Sequence, residues 1–192
     1  MRVMELNNVV YMVAKEKHQY KLTDTLNLPI AHHVVESQLI SFLKDNGFDF
    51  GVTFPSGKLN NLLEMIEGDE EIFTVPVTRE EEGVGVCAGA YLAGKKPFML
   101  IQSSGLGNSF NAIASLLKTY RIPVLIIAEH RGIYNETISA QVPLGEALPG
   151  MLDAMNIPFI MVRSQLDSLE EFSADNFRNG EPHVVLLSPE LF

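Results

Sequence analysis

Cysteine is almost absent from this 192-residue chain, where Cys87 stands alone. That excludes an intrachain disulfide and a cysteine-rich zinc centre, and it suits a reducing cytoplasm. Basic residues are also scarce, 14 Lys and Arg against 24 Asp and Glu, which leaves a formal net charge of -10. A field of that sign repels phosphate backbones, so nucleic acid is excluded as a general partner. A small anionic substrate is not excluded, because a local basic cluster can still hold one. Long apolar runs are missing too. No stretch of about 18 apolar residues occurs, and Met1 to Lys17 has no clean apolar segment followed by a small-residue cleavage site. These absences read as a cytoplasmic protein with no membrane segment.

What is present is rhythm. The chain is 46% hydrophobic and long enough for one domain with a buried core. From about residue 34, short β-branched apolar runs alternate with amphipathic stretches. Helices are expected at Val34 to Asn46, Leu59 to Ile66, Arg79 to Ala93, Ser109 to Tyr120, Gly145 to Met155 and Leu166 to Phe177. Strands are expected at Phe48 to Phe54, Glu71 to Val77, Pro97 to Gln102, Pro123 to Ala128, Phe159 to Val162 and His183 to Leu187. Pro123 to Ala128 is apolar almost throughout, as suits a central parallel strand covered on both faces. The pattern predicts an α/β fold, three-layer and doubly wound, on a mainly parallel six-stranded sheet. Residues 1 to 33 break the rhythm and read as an N-terminal extension, with a short strand conceivable at Asn8 to Val13. Residues 34 to 192 form the domain.

Ligands of parallel α/β sheets sit at the carboxyl ends of the strands. Four such ends are polar or glycine-rich: Pro55 to Lys58, Thr78 to Glu82, Gln102 to Asn108, and Glu129 to Gly132. Each has a bland reading beside a functional one. Thr78-x-x-Glu81 matches a capping box, and three carboxylates in a first turn suit the helix dipole. Yet Gly83, Gly85 and Gly89 follow, and helix-interior glycines cost roughly 1 kcal/mol each relative to alanine. The turn Gly105-Leu106-Gly107-Asn108 opens a helix whose amides could hold an anion. Phe110 stands where a dinucleotide fingerprint needs glycine, so the turn is weak as a nucleotide motif. Arg131 is suited to bidentate recognition of an anion or, equally, to an ordinary surface loop.

Glu81 to Tyr91, read as Glu-Glu-Gly-Val-Gly-Val-Cys-Ala-Gly-Ala-Tyr, resembles the glutamate helix of thiamine-diphosphate enzymes. The tyrosine falls ten residues after Glu81, as in that family, which singles out Glu81 over Glu80 and Glu82. Together with Ser104 to Asn108, His130 to Gly132 and Ser139 to Gly145, the run is similar to the 2-oxoacid decarboxylases of the family. The likeness is nearest to the sulfopyruvate decarboxylase alpha subunits and then to the phosphonopyruvate decarboxylases, and it covers roughly residues 35 to 190.

The resemblance implies a pyrimidine-binding domain in which Glu81 hydrogen-bonds the aminopyrimidine ring and activates the cofactor. Pro55, Gly105, Gly107 and Asn108 would shape its pocket. Lys58, Gln102, Arg131 and Gln141 are candidates for the substrate anion or the reacting centre. The family's Gly-Asp-Gly motif for the diphosphate and Mg2+ is missing, since Gly68-Asp69-Glu70 is neither that motif nor in its place. The resemblance therefore implies a hetero-oligomer, with thiamine diphosphate bridging to a beta subunit that ligates the magnesium, and no metal ligands in this chain. The reaction implied is decarboxylation of 3-sulfopyruvate to sulfoacetaldehyde. Another 2-oxoacid such as phosphonopyruvate is the alternative substrate, and a non-catalytic binding or scaffolding subunit is the alternative role.

Overall fold

Branched apolar runs bounded by turns become strands because both of their faces find cover. The computed structural model describes residues 2–6, 9–14, 19–22, 32–163, 166 and 169–192, with side chains described from Val35 onward. Three short strands come first: β1 (Arg2–Leu6), β2 (Val9–Ala14) and β3 (Gln19–Leu22). Then α1 (His32–Asp45), β4 (Phe50–Thr53), α2 (Asn60–Glu67), β5 (Phe73–Pro76), α3 (Glu80–Leu92) and β6 (Pro97–Gln102) follow in alternation. The second half runs α4 (Ser103–Ala112), β7 (Leu125–Glu129), α5 (Val142–Ala154), β8 (Phe159–Val162), α6 (Leu169–Asn179) and β9 (His183–Leu187).

The strand order is β1-β2-β3-β8-β9-β7-β6-β4-β5. Strands β4 to β9 pair in parallel throughout, which is the six-stranded sheet expected from the alternation. Strands β1 to β3 are antiparallel to one another, and β3 meets β8 in parallel at Gln19 and Phe159. Of the expected N-terminal strand at Asn8 to Val13, residue 8 lies outside the described residues, as do 1, 7, 15–18 and 23–31.

Two apolar clusters lie on opposite faces of the sheet. One gathers α1, α2 and α6 over Phe98, Leu100, Leu125 and Ile127. The other gathers α3, α4 and α5 over Val52, Met99, Ile101 and Ile126. Alternate strand residues serve alternate faces, so β6 and β7 are apolar on both sides. Every residue of β7 is buried, Glu129 included. That placement is why the sequence gives no period-2 alternation there.

The expected helix boundaries move in one place that matters. Helix α4 begins at Ser103, directly after β6, rather than at Ser109. Gly105 and Gly107 therefore lie in its first turns and not in a separate loop. From Ile113 to Lys118 the helix widens to π geometry. The helix expected from Leu166 is described from Leu169.

Candidate functional site

The site is built at the carboxyl edge, where β5, β4, β6 and β7 stand side by side. Helix α3 starts there with Glu80, Glu81 and Glu82 in its first turn. The three carboxylates have different surroundings. Glu80 is buried, Glu81 half-buried and Glu82 exposed. The expected capping box does not form. Arg79 is the N-cap, without a side-chain cap bond, and Thr78 Oγ1 donates to Glu82 Oε2 at 3.1 Å. The helix start falls one residue later than Thr78, which puts Glu82 within the hydroxyl's reach. Glu81 is left to pair with Arg79, whose guanidinium donates to Oε1.

Glu80 explains one glycine. A methyl on Gly105 would sit 2.5 Å from the Glu80 Oε1 and Cγ, so the Glu80 side chain packs into the space that Gly105 leaves open between the starts of α3 and α4. Gly107 is used in the same way against Leu144 of α5. Neither glycine needs a left-handed backbone. Their work is close packing, which the expected turn did not reveal. Asn108 is exposed and Pro55 is exposed just beyond β4.

A second group of polar side chains joins the ends of β4, β6 and β7. Ser56 Oγ donates to Glu129 Oε2 at 2.6 Å. Glu129 has no exposed surface, and its Oε1 lies 3.4 Å from Arg131 Nε without a hydrogen bond. Arg131 in turn donates from Nε and Nη2 to the two Glu136 oxygens at 2.6 and 2.8 Å. Its amide donates to Ser103 Oγ at 3.1 Å. The paired guanidinium draws the Glu136 carboxyl down to about 2, and Glu136 in turn holds Arg131 further above its ordinary value. His130 is buried with Nε2 2.8 Å from the Gly145 carbonyl, and burial pushes its pKa down. Gly132, at φ +84°, lets the chain pass against the backbone of Gly145 at the start of α5.

The sequence-derived candidates thus divide. Glu81, Gly105, Gly107 and Asn108 cluster at the starts of α3 and α4. Lys58, Gln102 and Arg131 belong to the neighbouring strand ends, and Gln141 ends a short 3-10 turn before α5. Arg131 is not an open fork, because its Nε–Nη2 edge already holds Glu136. Lys58 is exposed and, among the described residues, reaches only the Pro189 carbonyl, at 3.4 Å. Sequence reasoning missed Ser56, Ser103, Glu129 and Glu136 as partners. One signal was available for Glu129: a carboxylate that closes a run of buried apolar residues has to find a polar partner.

These residues suit the pyrimidine end of thiamine diphosphate. A carboxylate about one-third exposed (Glu81, 32%) at a helix start next to a glycine-packed junction can accept a hydrogen bond from a ring nitrogen. Among the described residues no group of three His, Cys, Asp or Glu could hold a metal.

Comparison with known proteins gives the family. Residues 33–157 match the family model of thiamine pyrophosphate enzymes, N-terminal TPP binding domain. Over 116 residues the chain is 54% identical to sulfopyruvate decarboxylase subunit alpha of Methanocaldococcus jannaschii, covering 60% of this chain and 69% of that one. With the subunit alpha of Methanothermobacter thermautotrophicus it shares 46% over 148 residues, 76% of this chain and 90% of that one. Sulfopyruvate decarboxylase of Methanosarcina acetivorans is 44% identical over 82% of this chain, which spans only 41% of that longer protein. Among solved structures, a 2-oxoglutarate:ferredoxin oxidoreductase from Magnetococcus marinus has a similar fold, with a TM-score of 0.60 at 16% identity over 84% of this chain and 29% of that one. This chain belongs to the thiamine pyrophosphate enzymes, as a TPP-binding domain of the type found in sulfopyruvate decarboxylase alpha subunits.

Proposed function

We propose that the chain is the alpha subunit of a cytoplasmic, thiamine-diphosphate-dependent decarboxylase that converts 3-sulfopyruvate to sulfoacetaldehyde and carbon dioxide. The observation that carries this is Glu81, a half-buried carboxylate opening α3 at the carboxyl edge, in a chain 54% identical to a sulfopyruvate decarboxylase subunit alpha. When bound, thiamine diphosphate supplies a carbon nucleophile and a sink for the electrons released by carbon dioxide. Glu81 would hold the aminopyrimidine by a hydrogen bond at its ring nitrogen and manage the proton there, and acid–base help of this kind contributes about 10²–10⁴ in rate. Pro55, Gly105, Gly107 and Asn108 shape the pocket around that ring.

The anion of the substrate tail falls to Lys58. Lys58 is exposed, and among the described residues its amine makes only the 3.4 Å bond to the Pro189 carbonyl, whereas Arg131 is committed to Glu136. Gln102 and Gln141 supply neutral donors near the reacting centre. Because the sequence has no Gly-Asp-Gly motif, the proposal gives the diphosphate and Mg2+ to a beta subunit, with the cofactor between the two chains.

The test is turnover of sulfopyruvate by the chain co-purified with a second subunit, with and without thiamine diphosphate and Mg2+. Glu81→Gln should lower kcat at least about 100-fold without releasing the partner. Unchanged turnover by that variant would end the catalytic reading. Phosphonopyruvate turned over in preference to sulfopyruvate would replace the substrate.

A further inference from the structure

We infer that Ser56 is a positioning residue for the substrate anion, acting through Lys58 and anchored by the buried Glu129. This rests on the assignment of Lys58 to the anionic tail.

The turn after β4 is held at its far end by Leu59, fully buried in the core, whose amide donates to the Ser56 carbonyl at 3.2 Å. Pro55, Gly57 and Lys58 are exposed, and a methyl built on Gly57 would meet nothing within 4 Å. Ser56 is the exception, at 6% exposure. Its hydroxyl crosses from the end of β4 past β6 to Glu129 on β7, at 2.6 Å. Hydroxyl-to-carboxylate bonds of about that length are the strong, charge-assisted kind.

The acceptor cannot drift. Glu129 lies on a strand paired on both sides, with no exposed surface, and Arg131 lies against its second oxygen. Arg131 is itself fixed by Glu136. Two residues beyond Ser56, Lys58 extends toward the Pro189 carbonyl after β9. A lysine has a flexible four-carbon stem, and ordering it on a ligand costs affinity. Ser56 on one side and the buried Leu59 on the other fix the root of that stem, and of the two only Ser56 ties it to the strand ends of the site, so less remains to be ordered when the anion arrives.

The experiment uses the complex with its second subunit and reads both catalysis and binding. For sulfopyruvate, Ser56→Ala should raise KM about tenfold with kcat changed less than about threefold, the pattern of lost uniform binding. For pyruvate, which has no second charge, KM should stay within about twofold. Because Ser56 acts through Lys58, the Ser56→Ala/Lys58→Ala double variant should be no worse than Lys58→Ala alone. Calorimetric binding of sulfoacetate should weaken in parallel.

Equal KM increases for the two substrates, additive effects in the double variant, or unaltered sulfoacetate binding would each overturn the inference. A wild-type complex that binds sulfoacetate in a Ser56-dependent way yet does not turn over sulfopyruvate would sink the proposed reaction and keep the inference. If Ser56→Ala does not assemble with its partner, Glu129→Asp withdraws the acceptor while keeping its charge and should give the same KM pattern. Should neither variant assemble, the bond serves the fold and the inference is wrong.

Discussion

Four donors converge on the carboxylate of Glu136: Arg131 Nε and Nη2, and the amides of Gly132 and Ile138. The pair is mostly shielded, with side-chain exposures of 13% for Arg131 and 6% for Glu136. Breaking it lies between the cost of losing a surface pair and that of stranding a buried charge, about 1–3 kcal/mol. Glu136→Gln should lose that much in urea denaturation. Its carboxyl titrates near 2 when folded against 4.5 when free, so its contribution is complete above 4.5 and is lost as the pH falls toward 2. His183 acts in a different window. Burial between Phe172 and Phe177 drives its ring down to about 4 from 6.5. A ring kept neutral in the fold favours unfolding once the free ring can take a proton. Stability should therefore fall between pH 6.5 and 4, by roughly 3 kcal/mol at most. Urea midpoints that stay flat across that range would contradict this account.

At the scale of elements, α3 carries the clearest test of what its glycines do. A methyl at Gly83 would lie 2.8 Å from Val52 Cγ1 and Met99 Cε, where the helix beds on β4 and β6. Alanine gains about 1 kcal/mol in helix propensity, but overpacking of this kind costs about 1–3 kcal/mol, so Gly83→Ala should be neutral to destabilising. Gly85 and Gly89 have nothing within 4 Å. Alanine there should stabilise the isolated chain by about 1 kcal/mol each, measurable as a higher unfolding midpoint. The alternation of apolar runs made all six parallel strands and their helices legible, with boundaries displaced by a few residues. It failed at Gly105 and Gly107, because glycine after a strand signals a turn and a tightly packed helix start equally well. The helix opening at the three glutamates was legible, and the ten-residue step to Tyr91 is what marks Glu81 among them as the candidate. Ser56, Glu129 and Glu136 were not, since their bonds join residues brought together only by the parallel order β4-β6-β7.

At the scale of the whole molecule, the proposed function makes this chain half of a site. The carboxylate, the glycine junction and the exposed lysine gather on one edge of the sheet. Among the described residues no group of three His, Cys, Asp or Glu lies there or elsewhere to hold a cation. A pyrimidine ring alone offers little surface and few polar contacts, so an isolated chain should hold the cofactor poorly. With a partner supplying the diphosphate site, both ends bind as one ligand, and the second contact forms at high effective concentration. Thermal unfolding reads the difference directly. Thiamine diphosphate with Mg2+ should leave the midpoint of the isolated chain unmoved. In the complex, at about 100 times its dissociation constant, it should add about 2.7 kcal/mol, a rise of about 5–11 °C for chains of this size. Glu81→Gln should shrink that rise without abolishing it, since the diphosphate end would remain bound. A midpoint that climbs for the chain alone would mean that this edge holds more of the cofactor than the pyrimidine ring.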